Sequence, residues 1–295
     1  MAHLEIPKTY KLFIGGQFPR TESGRSFSIQ NAEGGVLANL CRASRKDFRN
    51  AVAAARKAQA GWADRTAYNR SQILYRLAEI LDGRSSQFIE ELVALGDSEA
   101  SAQNEVQAAV DRLVYYAGWC DKYVQIAGTV NPVSTSHFNF SVPEPMGVVG
   151  IVCPDKPGLL GLVSQVAPVI AGGNTCVVLA SETQPLSAVT FAEVAATSDV
   201  PAGVLNILTG YRDELLEHFA THMDVNALTA SGLVAEDIKT LQEGSALNLK
   251  RVYTYESVDA GADASAQGPH FILDCQEIKT TWHPVEAIRP KSGGY

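Results

Sequence analysis

The sequence predicts an α/β fold built around a doubly wound parallel sheet, and three observations carry that prediction. A continuous apolar run of strand length stands at 148–153, and further strand-like, mostly apolar stretches at 175–179 and 204–208. Segments of helical length separate and follow them at 159–170, 185–196 and 212–222. Turns rich in Pro and Gly (PDKPG, GGN, PAG) mark the junctions. A run without polar alternation suits a strand buried on both faces, and strand–helix alternation of this kind makes a parallel sheet with helices on either side. With 295 residues, 46% of them hydrophobic, the chain can bury a large core in one or two domains.

In chain order, residues 11–44 read as short strands punctuated by Gly16, Gly24 and the Gly34–Gly35 pair, hence an antiparallel entry ribbon. From 46 to 59, Phe48, Val52, Ala55 and Ala58 recur at helical spacing, and Ile73, Leu77 and Leu81 repeat the pattern over 69–81. Two more helices are expected at 85–96 and 99–123, the second carrying Val106, Val110, Leu113, Ala117 and Cys120 on one side. Tyr115, Tyr116 and Trp119 on that helix read as packing residues rather than a ligand cage. Residues 130–142 alternate around Phe138 and Phe140 between two prolines, which predicts a strand or hairpin. After the βαβ units come a short strand at 227–229 and a helix at 234–242. Residues 256–269 lose all periodicity and read as a linker, whereas 270–283 alternates and predicts a strand with Phe271, Leu273, Cys275 and Glu277 facing one way. The Gly172–Gly173–Asn174 stretch falls between helix and strand, the wrong end for a phosphate loop, and reads as a helix C-cap.

Composition narrows the function classes. A formal net charge of -8 without a local Lys/Arg cluster argues against nucleic acid as a partner. No apolar run approaches the roughly 20 residues that span a bilayer, and the N-terminus has no signal-like apolar core, so the expectation is a cytoplasmic protein without membrane contact. Cys41, Cys120, Cys153, Cys176 and Cys275 are scattered and odd in number, which predicts reduced thiols rather than a disulfide or zinc framework. His218 and His222 stand four apart, but no HExxH pattern or third ligand accompanies them, and no metal site is expected.

Several segments in order, LFIGGQF, AVAAARKAQAGW, PEPMGVVG, APVIAGGNT, PAGVLNILTG, LTASG and NLKRV, resemble their counterparts in the aldehyde dehydrogenase superfamily. The likeness covers 8 to about 255 and again the last strand. It implies a Rossmann-type sheet that binds NAD or NADP, and a small β flap for oligomerisation made from 130–145 and 270–288. The division expected is then 1–129 for the N-terminal ribbon and helices, 146–255 for the βαβ core, and 256–269 for a linker in place of a catalytic domain. Some sixty residues follow LTASG, too few for that domain.

The departures from the family pattern are specific. The oxyanion-hole Asn of the family's Pro-Trp-Asn-Phe-Pro turn falls at Lys156 in Pro154–Asp155–Lys156–Pro157–Gly158, although the simpler reading is that Asp155 and Lys156 cap and solvate the turn. In the ribose motif Lys-Pro-Ser-Glu, Glu182 is retained while Leu179 stands for the Lys; a carboxylate alone can still grip a diol. Ser231 is retained in the turn that receives pyrophosphate, with Ala230 in place of Gly. The general-base Glu position holds Tyr255, with Glu256 one residue on, and the following double Gly is Ser257–Val258. No Gly-Gln-x-Cys turn occurs, and Cys275 reads as a packing residue.

In this it resembles the degenerate C-terminal module of two-module family 16 aldehyde dehydrogenases. The resemblance implies a non-catalytic assembly or regulatory module, a homo-oligomer or a companion of a catalytic aldehyde dehydrogenase. Glu182 and Ser231 would be vestigial cofactor residues, with no cofactor or only weak NAD or NADP binding. The alternative is a residual NAD(P)-binding oxidoreductase module working with a catalytic partner.

Overall fold

The computed structural model describes residues 8–256 and 266–285. An N-terminal sheet of β1 (Thr9–Tyr10), β2 (Ser26–Gln30) and β3 (Val36–Cys41) has the order β1–β3–β2. β2 and β3 form the expected hairpin, but β1 lies parallel to β3, so the ribbon is not a simple meander. Four long helices follow: α1 (Arg45–Ala63), α2 (Ala67–Gly83), α3 (Ser85–Ala94) and α4 (Glu99–Trp119). α1 starts on a capping box, with the Ser44 hydroxyl accepting from Asp47 N–H and the Asp47 carboxylate accepting from Ser44 N–H. Such a cap stabilises a helix by about 1 kcal/mol. The single helix expected over 99–123 ends at Trp119, and a short α5 (Tyr123–Ala127) resumes after a turn.

β4 (Thr129–Asn131) and β5 (His137–Pro145) leave the body as an antiparallel ribbon, and the chain then enters the main sheet through β6 (Val148–Val152). From there α6 (Gly158–Ala171), β7 (Thr175–Leu179), α7 (Pro185–Ala196), β8 (Leu205–Leu208), α8 (Arg212–Thr221), β9 (Ala227–Ser231), α9 (Ala235–Ala246) and β10 (Arg251–Tyr255) alternate. The five strands are all parallel, in the order β10–β9–β6–β7–β8. The architecture is Rossmann-like: the chain runs outward from β6 in one direction, returns, and runs outward in the other, so a switch point lies between β6 and β9. β6 to β9 are buried throughout, which is why their sequences are mostly apolar, and the polar exceptions Thr175, Asn206, Thr229 and Ser231 are buried with them.

Two core layers result. One sheet face packs on α2, α4, α6 and α7 with Leu77, Leu113, Val163 and Phe191 at its heart, the other on α1, α8 and α9 with Phe48, Leu215, Phe219 and Leu241. The β8 edge is covered where Phe13 exchanges backbone hydrogen bonds with Ile207 at 3.0 and 2.8 Å. Helix α6 ends as the double glycine predicts. Gly173, at φ 84°, lets its N–H reach Ile170 O while Asn174 N–H reaches Val169 O, the paired bonds of a Schellman cap. Ile170 O also accepts from Trp62 Nε1, and Ala171 O accepts from Arg70 Nε, a cation at the negative helix end.

The expected strand at 270–283 is corrected in its first half. Residues His270–Leu273 form one turn of helix, α10, and the strand β11 runs from Gln276 to Pro284, antiparallel to β5. Phe271 and Leu273 therefore lie on a helix, not on a strand face with Cys275. A short stretch with three consecutive apolar residues fits either element, and Pro269 just before it starts a helix readily. Most of the expected linker, 257–265, and the end of the 270–288 segment lie outside the described residues.

Candidate functional site

The carboxyl ends of β6, β7, β9 and β10 meet at the switch point, where ligands bind in open α/β sheets. The first turn there, 154–157, is bound tightly by the chain itself. The Asp155 carbonyl accepts from the hydroxyls of Ser181 and Thr183, both at 2.8 Å. The Asp155 carboxylate does not cap α6 as expected; it receives Arg212 Nη1 at 2.9 Å and Nη2 at 2.8 Å. Arg212 Nη2 also donates to Cys153 O, so the guanidinium lies across the end of β6. Its side chain is 11% exposed, and its Nε is a buried donor without a partner among the described residues. Lys156 is paired with Asp97 at 2.8 Å, and Asp97 also accepts from Gln184, whose own carbonyl oxygen takes Gly158 N–H. The amino end of α6 is closed by the buried Glu105, which accepts from Leu159 and Leu160 N–H at 2.7 and 3.1 Å. Burial raises that carboxyl above the usual range, and the two backbone bonds oppose the rise.

The two residues singled out from the sequence as cofactor ligands both sit at these strand ends, facing protein groups. Glu182 Oε1 accepts from Arg212 N–H at 2.5 Å and so caps α8, a favourable place for a carboxylate. Ser231 is buried and its hydroxyl accepts from Gln165 Nε2 at 3.1 Å. Leu179 is wholly buried within the α1–α8–α9 core. The amino end of α9, after the Ser231–Gly232 turn, carries Glu236 and Asp237 in its first turn. Burial, followed by Asp213 and Glu236 among the raising charges, lifts the Asp237 carboxyl, while Arg212 lowers it.

On the other side of Gln165, β10 ends in Tyr255. Its hydroxyl donates to Asp274 Oδ2 at 2.8 Å and its ring meets Phe271 edge-on at 4.8 Å. Together with Ser164, Gln165, Pro168, Val169 and Thr229 these rings enclose a cavity of about 10 Å³, near the least that holds one water. Gln165 Oε1 and Thr229 Oγ1, both buried, lack partners there among the described residues.

The five cysteines are all buried. Burial pushes the thiols of Cys120, Cys153 and Cys275 up to about 12 and raises that of Cys176 as well, which keeps these four protonated and weakly nucleophilic at neutral pH. His222 has left α8, with its ring edge-on to Phe48 at 5.6 Å, so the His218–His222 pair does not share a helix face.

Arg212, Asp274 and Glu105 were not identified from the sequence, which singled out Tyr255 at the general-base position but not its bond to Asp274. One signal was available: an Arg in the first turn of a helix opposes the macrodipole, so Arg212 had to serve something beyond α8.

Comparison with known proteins agrees with this architecture. The pattern of the aldehyde dehydrogenase family matches residues 19–255. An aldehyde dehydrogenase of Alternaria alternata is 33% identical over 253 residues, 84% of this chain and 50% of that one. The mitochondrial benzaldehyde dehydrogenase of Antirrhinum majus is 33% identical over 281 residues, 89% of this chain and 51% of its own. The NAD+ complex structure of the Bacillus cereus aldehyde dehydrogenase superposes with a TM-score of 0.80 at 29% identity, over 84% of this chain and 51% of that one. The chain spans about half the length, or less, of the curated relatives it matches. With the family pattern over most of its length and a fold that superposes on a family member's structure, the chain belongs to the aldehyde dehydrogenase family.

Proposed function

We propose that this chain is a non-catalytic member of its family, an assembly or regulatory module that forms a homo-oligomer or joins a catalytic aldehyde dehydrogenase. The observation that carries the reading is the ion pair of Arg212 with Asp155, which lies across the strand ends where a dinucleotide would pass. The groups present do not fit a dinucleotide. Glu182 is committed to α8, Leu179 offers no donor, Glu236 and Asp237 set negative charge at the amino end of α9, and Tyr255 with Phe271 fills the space beside Thr229. Tyr255 is a phenol bonded to Asp274 rather than a free base, and the five cysteines are buried, so these residues offer neither the base nor the nucleophile of aldehyde oxidation.

Calorimetric titration with NAD and NADP, alongside an aldehyde oxidation assay, tests this. Absent or millimolar binding without turnover is expected. Micromolar affinity, or NAD reduction with a simple aldehyde, overturns it. The second reading, a residual NAD(P)-binding module beside a catalytic partner, draws on the unpaired Gln165 Oε1 and Thr229 Oγ1 and needs Tyr255 to swing out.

The protein is further proposed to act in the cytoplasm without nucleic-acid or membrane partners. Among the described residues no helix is long and apolar enough to cross a membrane.

A further inference from the structure

Gln165 is 5% and Thr229 3% exposed, and their atoms Gln165 Oε1 and Thr229 Oγ1 are buried without a hydrogen-bond partner among the described residues. Both residues line the cavity of about 10 Å³ at the end of β9. The orientation of the Gln165 amide is fixed by its other half. Nε2 donates to Val152 O at 3.3 Å and to Ser231 Oγ at 3.1 Å, and a backbone carbonyl only accepts, so Oε1 takes the side away from Val152. Buried polar atoms in folded proteins are paired with protein groups or with ordered water, because an orphaned acceptor keeps its full desolvation penalty.

Ser164 lines the same cavity. Its Oγ accepts from Arg112 Nη1 at 2.9 Å, which leaves its own proton to donate. The remaining walls offer no further partner: Pro168 and Val169 present apolar side chains, and the Tyr255 hydroxyl is committed to Asp274 Oδ2 at 2.8 Å.

We propose that this cavity binds one ordered water molecule, which donates to Gln165 Oε1 and accepts from the Thr229 and Ser164 hydroxyls. A volume of about 10 Å³ is that of a single water site, and two to four polar partners are what such a water needs. Ions of similar size fit less well. No carboxylate lines the cavity and Arg112 bonds one of its walls, which disfavours ammonium, while the acceptor Gln165 Oε1 disfavours a halide. The water closes a polar chain through the core, from Arg112 on α4 to Ser164 on α6, then to Gln165, and on to Ser231 and Val152 at the ends of β9 and β6. Ser164 and Gln165 are neighbours along α6, and side chains one position apart on a helix do not face each other, so the water is the link between them. With it bound, both orphaned atoms are satisfied and the amide that holds Ser231 is fixed, which leaves neither Gln165 nor Thr229 free for a cofactor.

The test is a high-resolution crystal structure of the full chain, with water–protein ROE spectra of the native protein, Thr229→Val and Thr229→Ser. A single water peak within hydrogen-bond distance of Gln165 Oε1 and Thr229 Oγ1 is expected, with ROE cross-peaks from water to the Val169 methyls. Those cross-peaks should be lost in Thr229→Val, which keeps the side-chain shape without the hydroxyl, and kept in Thr229→Ser, which restores it. A cavity without a water peak in well-ordered crystals, or cross-peaks unchanged in Thr229→Val, overturns the proposal. Should Thr229→Val fail to fold, the native structure and spectra decide the site by themselves. Dinucleotide titration is a separate readout, so the water site and the non-catalytic reading can each fail alone.

Discussion

Arg212 and Asp155 are joined by two parallel hydrogen bonds, at 2.8 and 2.9 Å, across the end of the first strand of the sheet. The pair joins α8 to the β6–α6 turn over 57 positions of sequence and puts a guanidinium at the switch point. The Asp155 side chain is 45% exposed, so the pair contributes little to stability. The proposed consequence is steric closure of that strand end. Arg212→Gly is expected to change unfolding free energy by no more than about 1–2 kcal/mol in urea denaturation while raising NAD affinity measurably above that of the native chain. A variant whose NAD titration is identical to native shows that the slot is closed by something other than this side chain.

Leu179 sets a second limit. The side chain is completely buried among Leu208, Leu215 and Ala230. A Lys at this position can bind a ligand only if its ammonium leaves that core, and Arg212 with Glu182 occupies the nearby exit. Leu179→Lys alone is therefore expected to lower stability by at least about 2–3 kcal/mol without creating dinucleotide binding. The double variant Leu179→Lys with Arg212→Gly is expected to recover part of the stability and to bind NAD more tightly than either single change. Denaturation and calorimetry on the three proteins check the non-additivity.

A pH dependence follows from Glu91 on α3. Burial pushes its carboxyl up to about 7, against opposing hydrogen bonds from Thr190 and Gln87; Glu193 raises it further and Arg84 lowers it. One oxygen, Oε2, is buried without a partner among the described residues. The folded state thus binds its proton more tightly than the unfolded chain, so the associated stability is complete below about pH 4.5 and is lost as pH rises towards 7. The loss is of the order of 1–3 kcal/mol, discounted for partial exposure. Glu91→Gln is expected to match the native chain near pH 4.5 and to exceed it in Tm at pH 8. Equal melting curves at pH 8 would count against the buried ionisation.

How far the molecule was legible depends on whether the determining interaction is local. The strands β6 to β8 and the Schellman cap at Gly173 follow from runs and turn residues a few positions long, and they stand where the sequence put them. α10 does not, because Phe271 and Leu273 suit a strand or a helical turn equally, and the choice was made by packing of Ile272 and Cys275 into the core. The resemblance located Glu182 and Ser231 but said nothing of what they now touch. Their partners, the Arg212 backbone and the Gln165 amide, are 30 and 66 positions away. Arg112 sits among Ala109, Leu113 and Tyr116 on the buried side of α4, and an Arg on that face was a readable anomaly.

The last prediction concerns assembly. β11, β5 and β4 form a three-stranded antiparallel ribbon that stands apart from the main sheet. Val130 and Phe140 are directly opposite in the pairing of β4 with β5, and Phe138 packs beside Phe140 with ring centroids 5.6 Å apart. Alternation puts the three on one face, where Val130 is 69% and Phe138 47% exposed. A small ribbon with an apolar face is marginal alone in water, so covering this face by a second copy or by a catalytic relative would stabilise it. Truncation at residue 270 is a poor test, because Ile272 and Cys275 belong to the core and Asn174 Nδ2 donates to Cys275 O. The double change Val130→Thr with Phe138→Thr leaves those contacts intact and puts a side chain of good strand propensity at both positions. Its expected result is a smaller species by light scattering with a far-UV spectrum like that of the native chain. An oligomer of unchanged mass would show that assembly, if any, uses another surface.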